Sequence, residues 1–331
     1  MDKQETLLNI KNLCTSFNTP EGVVRSVNGV SFHIDRGETL ALVGESGCGK
    51  TVTTLSLMKL LGKNSTVTAE EMTLNGRDIR HISKEEARKI RGKEISMIFQ
   101  EPMTSLNPVY RIERQMGEMI RTHNPGISKE EVHRRSVEIL RKVGVPNPEE
   151  RLKVYPHQLS GGLRQRVMIA IALASTPSMV IADEPTTALD VTIQAQIIDL
   201  LKELQRDFNT SILLITHDFG VVSQLADRVS VMYAGKIVEE GPLKQIIETP
   251  KHPYTELLIL SIPGIKVKKG GRLRTIEGQV PNPLHFPEGC RFHPRCPYAT
   301  ERCRCQEPPQ IRMGEQTVSC WLRVEEGESH E

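Results

Sequence analysis

The chain has 331 residues, of which 25% are charged, and a formal net charge of +2, so no basic surplus argues for nucleic-acid binding. It contains no run of about 18 apolar residues, which excludes an ordinary membrane-spanning helix. Its first residues lack the basic start and apolar stretch of a secretory signal, and we therefore expect a cytoplasmic chain.

Residues 7 to 34 alternate polar and apolar side chains, which predicts an antiparallel strand pair with one solvated face. The apolar run 39–43 predicts a buried strand, and residues 72–76 a further strand and turn. A helix is expected from Ser83, because Ser83 and Glu86 have the spacing of a capping box.

The octet from Gly44 to Thr51 reads GESGCGKT, and it stands between the buried strand and a helix-like run. In that setting the pattern G-x-x-x-x-G-K-T indicates nucleoside triphosphate binding, because glycine-rich backbone N–H groups and a helix N-terminus form an anion site. We expect Lys50 to reach the β- and γ-phosphates and Thr51 to ligate Mg²⁺. The nucleotide-binding residues predicted here are Gly44, Ser46, Gly47, Cys48, Gly49, Lys50, Thr51 and Val52.

After a buried strand at 94–100, helical patterns dominate, and we interpret residues from 101 to about 176 as a helical insertion. Its clearest helix starts at Ser128, with Gly144 as the stop signal. The short apolar runs 179–183 and 211–216, each joined to a helix, are typical of a parallel sheet covered on both faces. An amphipathic helix is predicted between them, from Thr192 to Phe208, and another strand at 228–234.

Two acids, Asp183 and Glu184, end the strand that starts at Met179. In proteins with a phosphate-binding loop, an aspartate at this place holds Mg²⁺. The glutamate beside it is placed to activate the attacking water as general base.

The octet from Leu159 to Arg166 reads LSGGLRQR and opens a helix, which makes a second helix-terminal anion site. One chain has no obvious second phosphate to place there. The octet resembles the signature motif of ATP-binding cassette (ABC) proteins, and the resemblance covers residues 7 to about 255. Two cassettes pair head to tail in that family, which implies that Ser160, Gly161 and Gly162 bind the γ-phosphate of a partner's ATP.

The same resemblance implies roles for further residues. Gln100 matches the Q-loop glutamine, which touches Mg²⁺ and the attacking water, and Asp190 matches the D-loop aspartate at the dimer interface. His217 matches the switch histidine on the γ-phosphate, and Phe17 stands where the family stacks an aromatic ring on adenine. The predicted catalytic set is then Lys50, Gln100, Glu184 and His217, and the predicted Mg²⁺ set is Thr51, Gln100 and Asp183.

Three stretches, 99–108, 182–196 and 252–255, resemble the ATPases of dipeptide and oligopeptide importers, specifically the D-type subunit. The resemblance implies a peripheral protein on the cytoplasmic face of the cell membrane. It would work with two integral-membrane permeases, a second ABC ATPase (an F-type paralogue or a second copy) and, indirectly, an extracytoplasmic peptide-binding protein. Its coupling surface would lie around residues 101 to 120. Two alternatives stay open: import of nickel, oligosaccharides or another solute, and a soluble ABC protein outside transport.

Five cysteines crowd the end of the chain, and Cys290, Cys296, Cys303 and Cys320 lie in a proline-rich segment that could not build its own core. A metal would supply the missing stabilisation, but the spacing matches neither ferredoxins nor zinc ribbons, so zinc and iron–sulfur both stay open. The importer resemblance extends through this tail and implies a [4Fe–4S] cluster, with zinc and free or disulfide-linked thiols as alternatives. Cys305 is either spare or competes with Cys303.

The expected fold class is α/β: a P-loop NTPase with a RecA-like core, an antiparallel β subdomain and the helical insertion, in a nucleotide-binding domain at 1–255. A small, irregular, cysteine-rich extension is expected at 256–331. The expected cofactors are ATP, Mg²⁺ and the cluster.

Overall fold

The computed structural model of the chain describes residues 5–101, 105–187, 189–262 and 276–328. Parts of two stretches that resemble the importer ATPases, at 99–108 and 182–196, therefore lie outside the described residues, as does part of the expected extension at 256–331. The chain divides into two compact units. The first comprises Met1–Asp35, Thr39–His81 and Ile215–Glu331, and the second comprises Arg36–Glu38 and Ile82–Leu214.

The strands and helices have the following bounds in chain order. The strands are β1 (Thr6–Thr19), β2 (Gly22–Asp35), β3 (Thr39–Val43), β4 (Ser65–Thr68), β5 (Glu71–Leu74), β6 (Arg77–Asp78), β7 (Ile95–Ile98), β8 (Met179–Asp183), β9 (Ser211–Thr216), β10 (Arg228–Tyr233), β11 (Lys236–Pro242), β12 (Ile311–Met313) and β13 (Gln316–Val318). The helices are α1 (Lys50–Leu57), α2 (Lys84–Ile90), α3 (Ile112–His123), α4 (Lys129–Lys142), α5 (Pro148–Arg151), α6 (Gly161–Leu173), α7 (Val191–Phe208), α8 (Phe219–Leu225), α9 (Leu243–Glu248), α10 (Pro253–Leu260), α11 (Glu301–Cys305) and α12 (Trp321–Glu328).

The first unit contains an antiparallel sheet in the order β2-β1-β5-β6, with β4 also paired to β1. Leu8, Ile10 and Leu13 on β1 are buried while Lys11 is exposed, as expected for a sheet with one solvated face. The predicted antiparallel pair is therefore confirmed. The same unit also holds the strand order β12-β13-β11-β10-β3, in which only the β10–β3 pair is parallel.

The second unit carries the strand order β9-β8-β7, and β7 pairs with β8 in parallel. Every residue of these strands is buried, which explains why they appear in the sequence as uninterrupted apolar runs. The helices α3 to α6 occupy the predicted insertion. In α4, Ser128 caps the N-terminus by accepting the Glu131 N–H at 3.1 Å, and the helix ends at Lys142, just before Gly144.

The last part of the chain, residues 276–328, belongs to the first unit. The expectation of an irregular extension missed two short strands, because three residues are too few to display an alternation. β13 pairs with β11 through Glu239–Val318 and Glu240–Thr317. No helix among the described residues is long and apolar enough to cross a membrane. The domain boundary after residue 255 stays a prediction.

Candidate nucleotide site

The phosphate-binding loop has a backbone that only glycine can follow at two positions. Gly44 and Gly49 have φ angles of +155° and +111°, which side-chain-bearing residues rarely adopt. A Cβ on Gly44 would lie 2.1 Å from the Met232 carbonyl oxygen, and one on Gly49 would lie 2.5 Å from the Ser26 carbonyl oxygen. The backbones of β2 and β10 therefore leave no room for a side chain at these two positions.

The Lys50 ammonium lies inside this loop. Its Nζ donates to the carbonyl oxygens of Gly44 at 2.7 Å and Glu45 at 3.0 Å, and the side chain is buried. Burial raises the pKa of the Cys48 thiol, although the Lys50 charge opposes the effect, so this cysteine is a neutral thiol at physiological pH. Helix α1 starts at Lys50, which puts its first backbone N–H groups at the loop. Among the predicted ligands Ser46, Gly47 and Thr51 are exposed, and Val52 is half-buried.

Two side chains distant in sequence support the loop from behind. The Glu45 N–H donates to the hydroxyl oxygen of Tyr254 at 2.9 Å, and Arg295 forms an ion pair with the Glu45 carboxylate at 2.7 Å. The Gly235 N–H also donates to the Cys48 carbonyl oxygen at 2.8 Å. Our sequence reasoning missed Glu45, Tyr254 and Arg295 as functional residues. Tyr254 and Arg295 lie in stretches that resemble the importer group, and Glu45 lies in the phosphate-binding octet, but none of this marked them as partners.

Two further predicted residues lie in the first unit. Phe17 is half-buried on β1, where it pairs with Val24 on β2 and Ser65 on β4. His217 is exposed directly after β9, just before Asp218, which caps α8 by accepting the Gly220 N–H at 2.7 Å. The contacts of Phe17 with adenine and of His217 with phosphate stay predictions.

The second unit brings Gln100 and Glu184 together. The Gln100 side-chain amide donates to Oε2 of Glu184 at 3.0 Å, and the Thr187 hydroxyl donates to the same oxygen at 2.8 Å. Glu184 has a φ angle of +47°, a strained conformation that non-glycine residues adopt mostly where surrounding structure imposes it, often at functional sites. Asp183, at the end of β8, is buried. Thr187 was not predicted, because a threonine three residues after an acid carries no distinctive pattern.

The signature residues lie at the N-terminus of α6. Ser160 caps the helix, with its Oγ 3.4 Å from the Leu163 N–H. Gly161 is exposed and a Cβ there would meet nothing within 4 Å, whereas one on Gly162 would lie 3.0 Å from Ile193. The signature therefore lies next to the start of α7.

Asp190 is exposed and caps α7, because its Oδ1 accepts the Ile193 N–H at 2.9 Å. A buried amide also joins α6 to the segment after β8: Gln165 donates to the Pro185 carbonyl oxygen at 2.6 Å. Sequence reasoning missed Gln165, because its partner lies 20 residues away.

Four cysteines line a single cavity in the first unit, together with Phe292, Trp321 and other side chains; they are Cys290, Cys296, Cys303 and Cys320. Cys305 does not line this cavity and is exposed. All are free thiols, and burial raises the pKa of Cys290 to about 12 and that of Cys296 to about 11. Within the described residues, no group of three or more His, Cys, Asp or Glu side chains is arranged to hold a metal ion.

Comparison with known proteins gives two family matches. The family described as "ABC transporter" matches residues 27–187, and the family described as "Oligopeptide/dipeptide transporter, C-terminal region" matches residues 238–303. The solved dimeric ATP-binding cassette MJ0796, bound to ADP and Pi after hydrolysis, is similar with a TM-score of 0.65 and 28% identity, over 72% of this chain and 99% of that one.

Full-length relatives are more similar. The oligopeptide transport ATP-binding protein AppD of Bacillus subtilis is 50% identical over 97% of this chain and 98% of its own length. The dipeptide transport ATP-binding protein DppD of Escherichia coli is 48% identical over 91% of this chain and 92% of its own. The mixed α/β sheets are thus those of an ABC ATPase with a phosphate-binding loop. The chain belongs to the D-type ATP-binding proteins of the dipeptide and oligopeptide ABC transporters, and it is an ATPase.

Proposed function

We propose that the chain hydrolyses ATP to drive the import of dipeptides or oligopeptides, and that closure of an ATPase dimer couples hydrolysis to transport. The match of residues 238–303 to the C-terminal region of peptide transporters supports the peptide cargo, as do the relatives that are named for it. The observation that carries the hydrolytic role is the pair formed by Gln100 and Glu184, in which a carboxylate is oriented by an amide and a hydroxyl.

The nucleotide-binding part of the proposal rests on the loop from Gly44 to Thr51. Its backbone N–H groups, including those of Ser46, Gly47, Cys48 and Gly49, bind the phosphates, Lys50 neutralises their charge, and Val52 lies behind them on α1. Phe17 stacks on adenine. The Thr51 hydroxyl, the Gln100 amide oxygen and the Asp183 carboxylate are hard oxygen donors of the kind that Mg²⁺ prefers, so their chemistry fits this ion. Bound Mg²⁺ would neutralise charge on the β- and γ-phosphates.

Glu184 acts as the general base. Two donors on Oε2 hold its carboxylate in one orientation, from which it accepts a proton from the attacking water. His217 donates to the γ-phosphate as negative charge develops on its oxygens. Ser160, Gly161 and Gly162 bind the γ-phosphate of ATP held by a partner chain, and Asp190 lies at that interface.

Replacing Glu184 with glutamine tests the role in hydrolysis. Glu184→Gln keeps the hydrogen-bonding shape but removes the base, so we expect ATPase activity to fall by at least about a hundredfold. ATP binding and ATP-dependent dimers should persist, as measured by size-exclusion chromatography with MgATP. Glu203→Gln, an exposed acid on α7, is the matched control and should leave activity unchanged. Normal turnover in Glu184→Gln would remove Glu184 as the base.

We propose that the four cysteines around this cavity hold a [4Fe–4S] cluster, with zinc as the alternative. In such a cluster each cysteine binds a different iron. The observation behind the proposal is that four cysteines line one cavity. Cys303 is the third ligand in this proposal and Cys305 is spare, because only Cys303 lines the cavity.

Anaerobic purification tests the cluster. We expect a brown protein with broad visible absorption and bound iron. Cys303→Ser should lose the iron, whereas Cys305→Ser should keep it. A colourless protein that contains zinc, or one without metal, would contradict the cluster.

The proposed assembly comprises two integral-membrane permeases, a second ABC ATPase (an F-type paralogue or a second copy of this chain) and, indirectly, an extracytoplasmic peptide-binding protein. This chain would sit peripherally on the cytoplasmic face of the membrane, with a coupling surface around residues 101–120. Deleting the subunit and measuring uptake tests the cargo: peptide uptake should stop. Loss of nickel or oligosaccharide uptake, with peptide uptake intact, would replace the peptide assignment.

A further inference from the structure

An arginine of the C-terminal extension holds an acidic side chain of the phosphate-binding loop. We propose that Arg295 is a positioning residue for ATP binding, which withdraws the negative charge of Glu45 from the phosphates and fixes the loop backbone beside Lys50. The inference rests on the proposed nucleotide-binding role of Gly44 to Thr51. It adds a function that is carried by the extension, 250 residues further along the chain.

The ion pair is bidentate. Arg295 Nη1 donates to Oε2 of Glu45 at 2.7 Å, and Nη2 donates to Oε1 at 3.0 Å. Two parallel charge-assisted bonds fix orientation as well as distance. The Arg295 side chain is only 4% exposed and that of Glu45 28%, so water screens the pair less than it screens a surface pair.

Arg295 is itself anchored by contacts other than Glu45. Its Nε donates to the Glu277 carbonyl oxygen at 2.9 Å, and Nη2 donates to that of Ile276 at 3.3 Å. Its guanidinium carbon lies 5.8 Å from the ring centre of Tyr233, a cation–π distance. These contacts hold the guanidinium in place, and it acts as a fixed point for Glu45.

On the loop side, Glu45 connects this fixed point to the phosphate-binding lysine. The Glu45 N–H is held by Tyr254, and the Glu45 carbonyl oxygen accepts Lys50 Nζ at 3.0 Å. The backbone of Glu45 makes both of these contacts, and its side chain makes the contact with Arg295. A carboxylate in a loop that binds a polyanion would also repel the ligand unless a cation neutralised it. Arg295 supplies that cation.

The same segment of the extension reaches the loop by a second path. Arg291 donates to the Ala234 carbonyl oxygen, and the next residue, Gly235, donates its N–H to the Cys48 carbonyl oxygen at 2.8 Å. Between the two arginines, Phe292 is buried and packs edge-on against Tyr233 at 5.1 Å between ring centres. The segment from Arg291 to Arg295 thus contacts the loop directly at Glu45, and it is linked to Cys48 through Ala234 and Gly235.

Steady-state ATPase kinetics on the full-length chain separate this role from simple loss of structure. For Arg295→Gln we expect the KM for MgATP to rise by about tenfold, which corresponds to ~1.4 kcal/mol, with kcat little changed. The double variant Arg295→Gln with Glu45→Gln should recover most of the affinity, because it removes the repelling charge together with its partner. Arg295→Lys should be intermediate, since an ammonium cannot make two parallel bonds.

Two controls alter the extension without touching the loop. Glu315→Gln removes the charge of the carboxylate that accepts from the Gln245 amide, and Arg312→Gln removes a bond to the Gly314 carbonyl oxygen. Both should keep the KM of the unmodified chain. Thermal unfolding of every variant shows whether a change in affinity follows a change in stability.

The outcomes separate this inference from the proposed nucleotide site. If Lys50→Ala binds ATP as tightly as the unmodified chain, the proposed site is wrong. If Lys50→Ala loses ATP while Arg295→Gln retains a normal KM, the site stands and the role of Arg295 is overturned. A double variant that binds ATP as weakly as Arg295→Gln alone would equally overturn it, because charge neutralisation would then explain nothing.

Discussion

The two glycine-rich helix starts of this chain are built in opposite ways. At the phosphate-binding loop, the chain itself requires glycine: Gly44 and Gly49 have left-handed φ angles, and added Cβ atoms would collide with backbone oxygens. At the signature, Gly161 starts an ordinary helix and faces open space, so nothing in its own chain requires the absence of a side chain.

The difference shows which glycines serve folding and which serve a ligand. A glycine that packing does not demand still costs backbone entropy, and a close approach by something outside the chain is a physical reason to keep it. The proposed γ-phosphate of a partner's ATP is such a group. Tyr254 and Arg295 hold the phosphate-binding loop at Glu45, whereas a Cβ on Gly161 would meet nothing within 4 Å, which fits a half-site that is completed by another molecule.

The most direct test of this comparison is to replace one glycine at each of the two helix starts. Gly49→Ala combines a φ angle of +111° with a Cβ 2.5 Å from the Ser26 carbonyl oxygen, so strain and collision add. We expect it to lose more than ~2 kcal/mol of folding free energy and most of its ATP affinity. Thermal unfolding and equilibrium ATP binding measure both effects.

Gly161→Ala is the counterpart. It should change stability by no more than ~0.5 kcal/mol, because the new methyl group meets no neighbour. ATPase activity should nevertheless fall by about tenfold or more, as expected when a preorganised donor to the transition state is displaced. If Gly161→Ala unfolds as readily as Gly49→Ala, the contrast between the two starts is wrong.

The support behind the loop should also be sensitive to acid. His252 is buried, its Nδ1 accepts the Tyr254 N–H at 3.0 Å, and burial lowers the pKa of His252 to about 3. In the unfolded chain this histidine takes up a proton near pH 6.5, so between that pH and 3 the unfolded state binds more protons. Stability should therefore be complete above pH 6.5 and fall by about 2 kcal/mol between pH 6.5 and 5.

Denaturant unfolding across this pH range measures the effect. His252→Asn keeps a side-chain acceptor for the Tyr254 N–H but cannot titrate, and its stability should vary less with pH. His133→Asn, at an exposed position on α4, should retain the full pH dependence. An unchanged slope in His252→Asn would assign the acid sensitivity to other groups.

The features that the sequence predicted well are those encoded over a few neighbouring residues. The loop from Gly44 to Thr51, the acids at the end of β8 and the helix starts at Ser83 and Ser128 each follow from local spacing, because turns and helix ends are local structures. The short strands β4, β6, β12 and β13 span too few residues to display a period. They became visible only through their pairing partners.

Contacts between residues far apart in the chain could not be predicted from the sequence. The ion pair of Glu45 and Arg295 joins residues 250 apart, and nothing local marks either as a partner of the other. The sequence also could not decide between Cys303 and Cys305 as the third ligand. The two cysteines flank Arg304, and only the structure shows that Cys303 lines the cavity and Cys305 does not. Thr187 likewise gained meaning only from its bond to Glu184.

The smallest effect that we predict is the loss of stability on replacing Ser160, and it tests whether this serine only caps a helix or also binds a ligand. Ser160 and Ser128 are both serine N-caps, of α6 and α4, with cap distances of 3.4 and 3.1 Å. Replacing either with alanine should cost about 0.5–1 kcal/mol, and Ser160→Ala should cost less because its bond is longer. Stability is measured by denaturant unfolding.

Activity should distinguish the two variants where stability does not. Ser128→Ala should retain full ATPase activity, because its hydroxyl serves only a helix end. Ser160→Ala should lose activity by more than its small cost in stability explains, since the same hydroxyl is proposed to donate to a partner's phosphate. If both variants retain full activity, Ser160 serves only as a helix cap. Ligand binding by the signature would then depend on the backbone of Gly161 and Gly162. Gly161 and Gly162 alone would then distinguish the signature from the phosphate-binding loop.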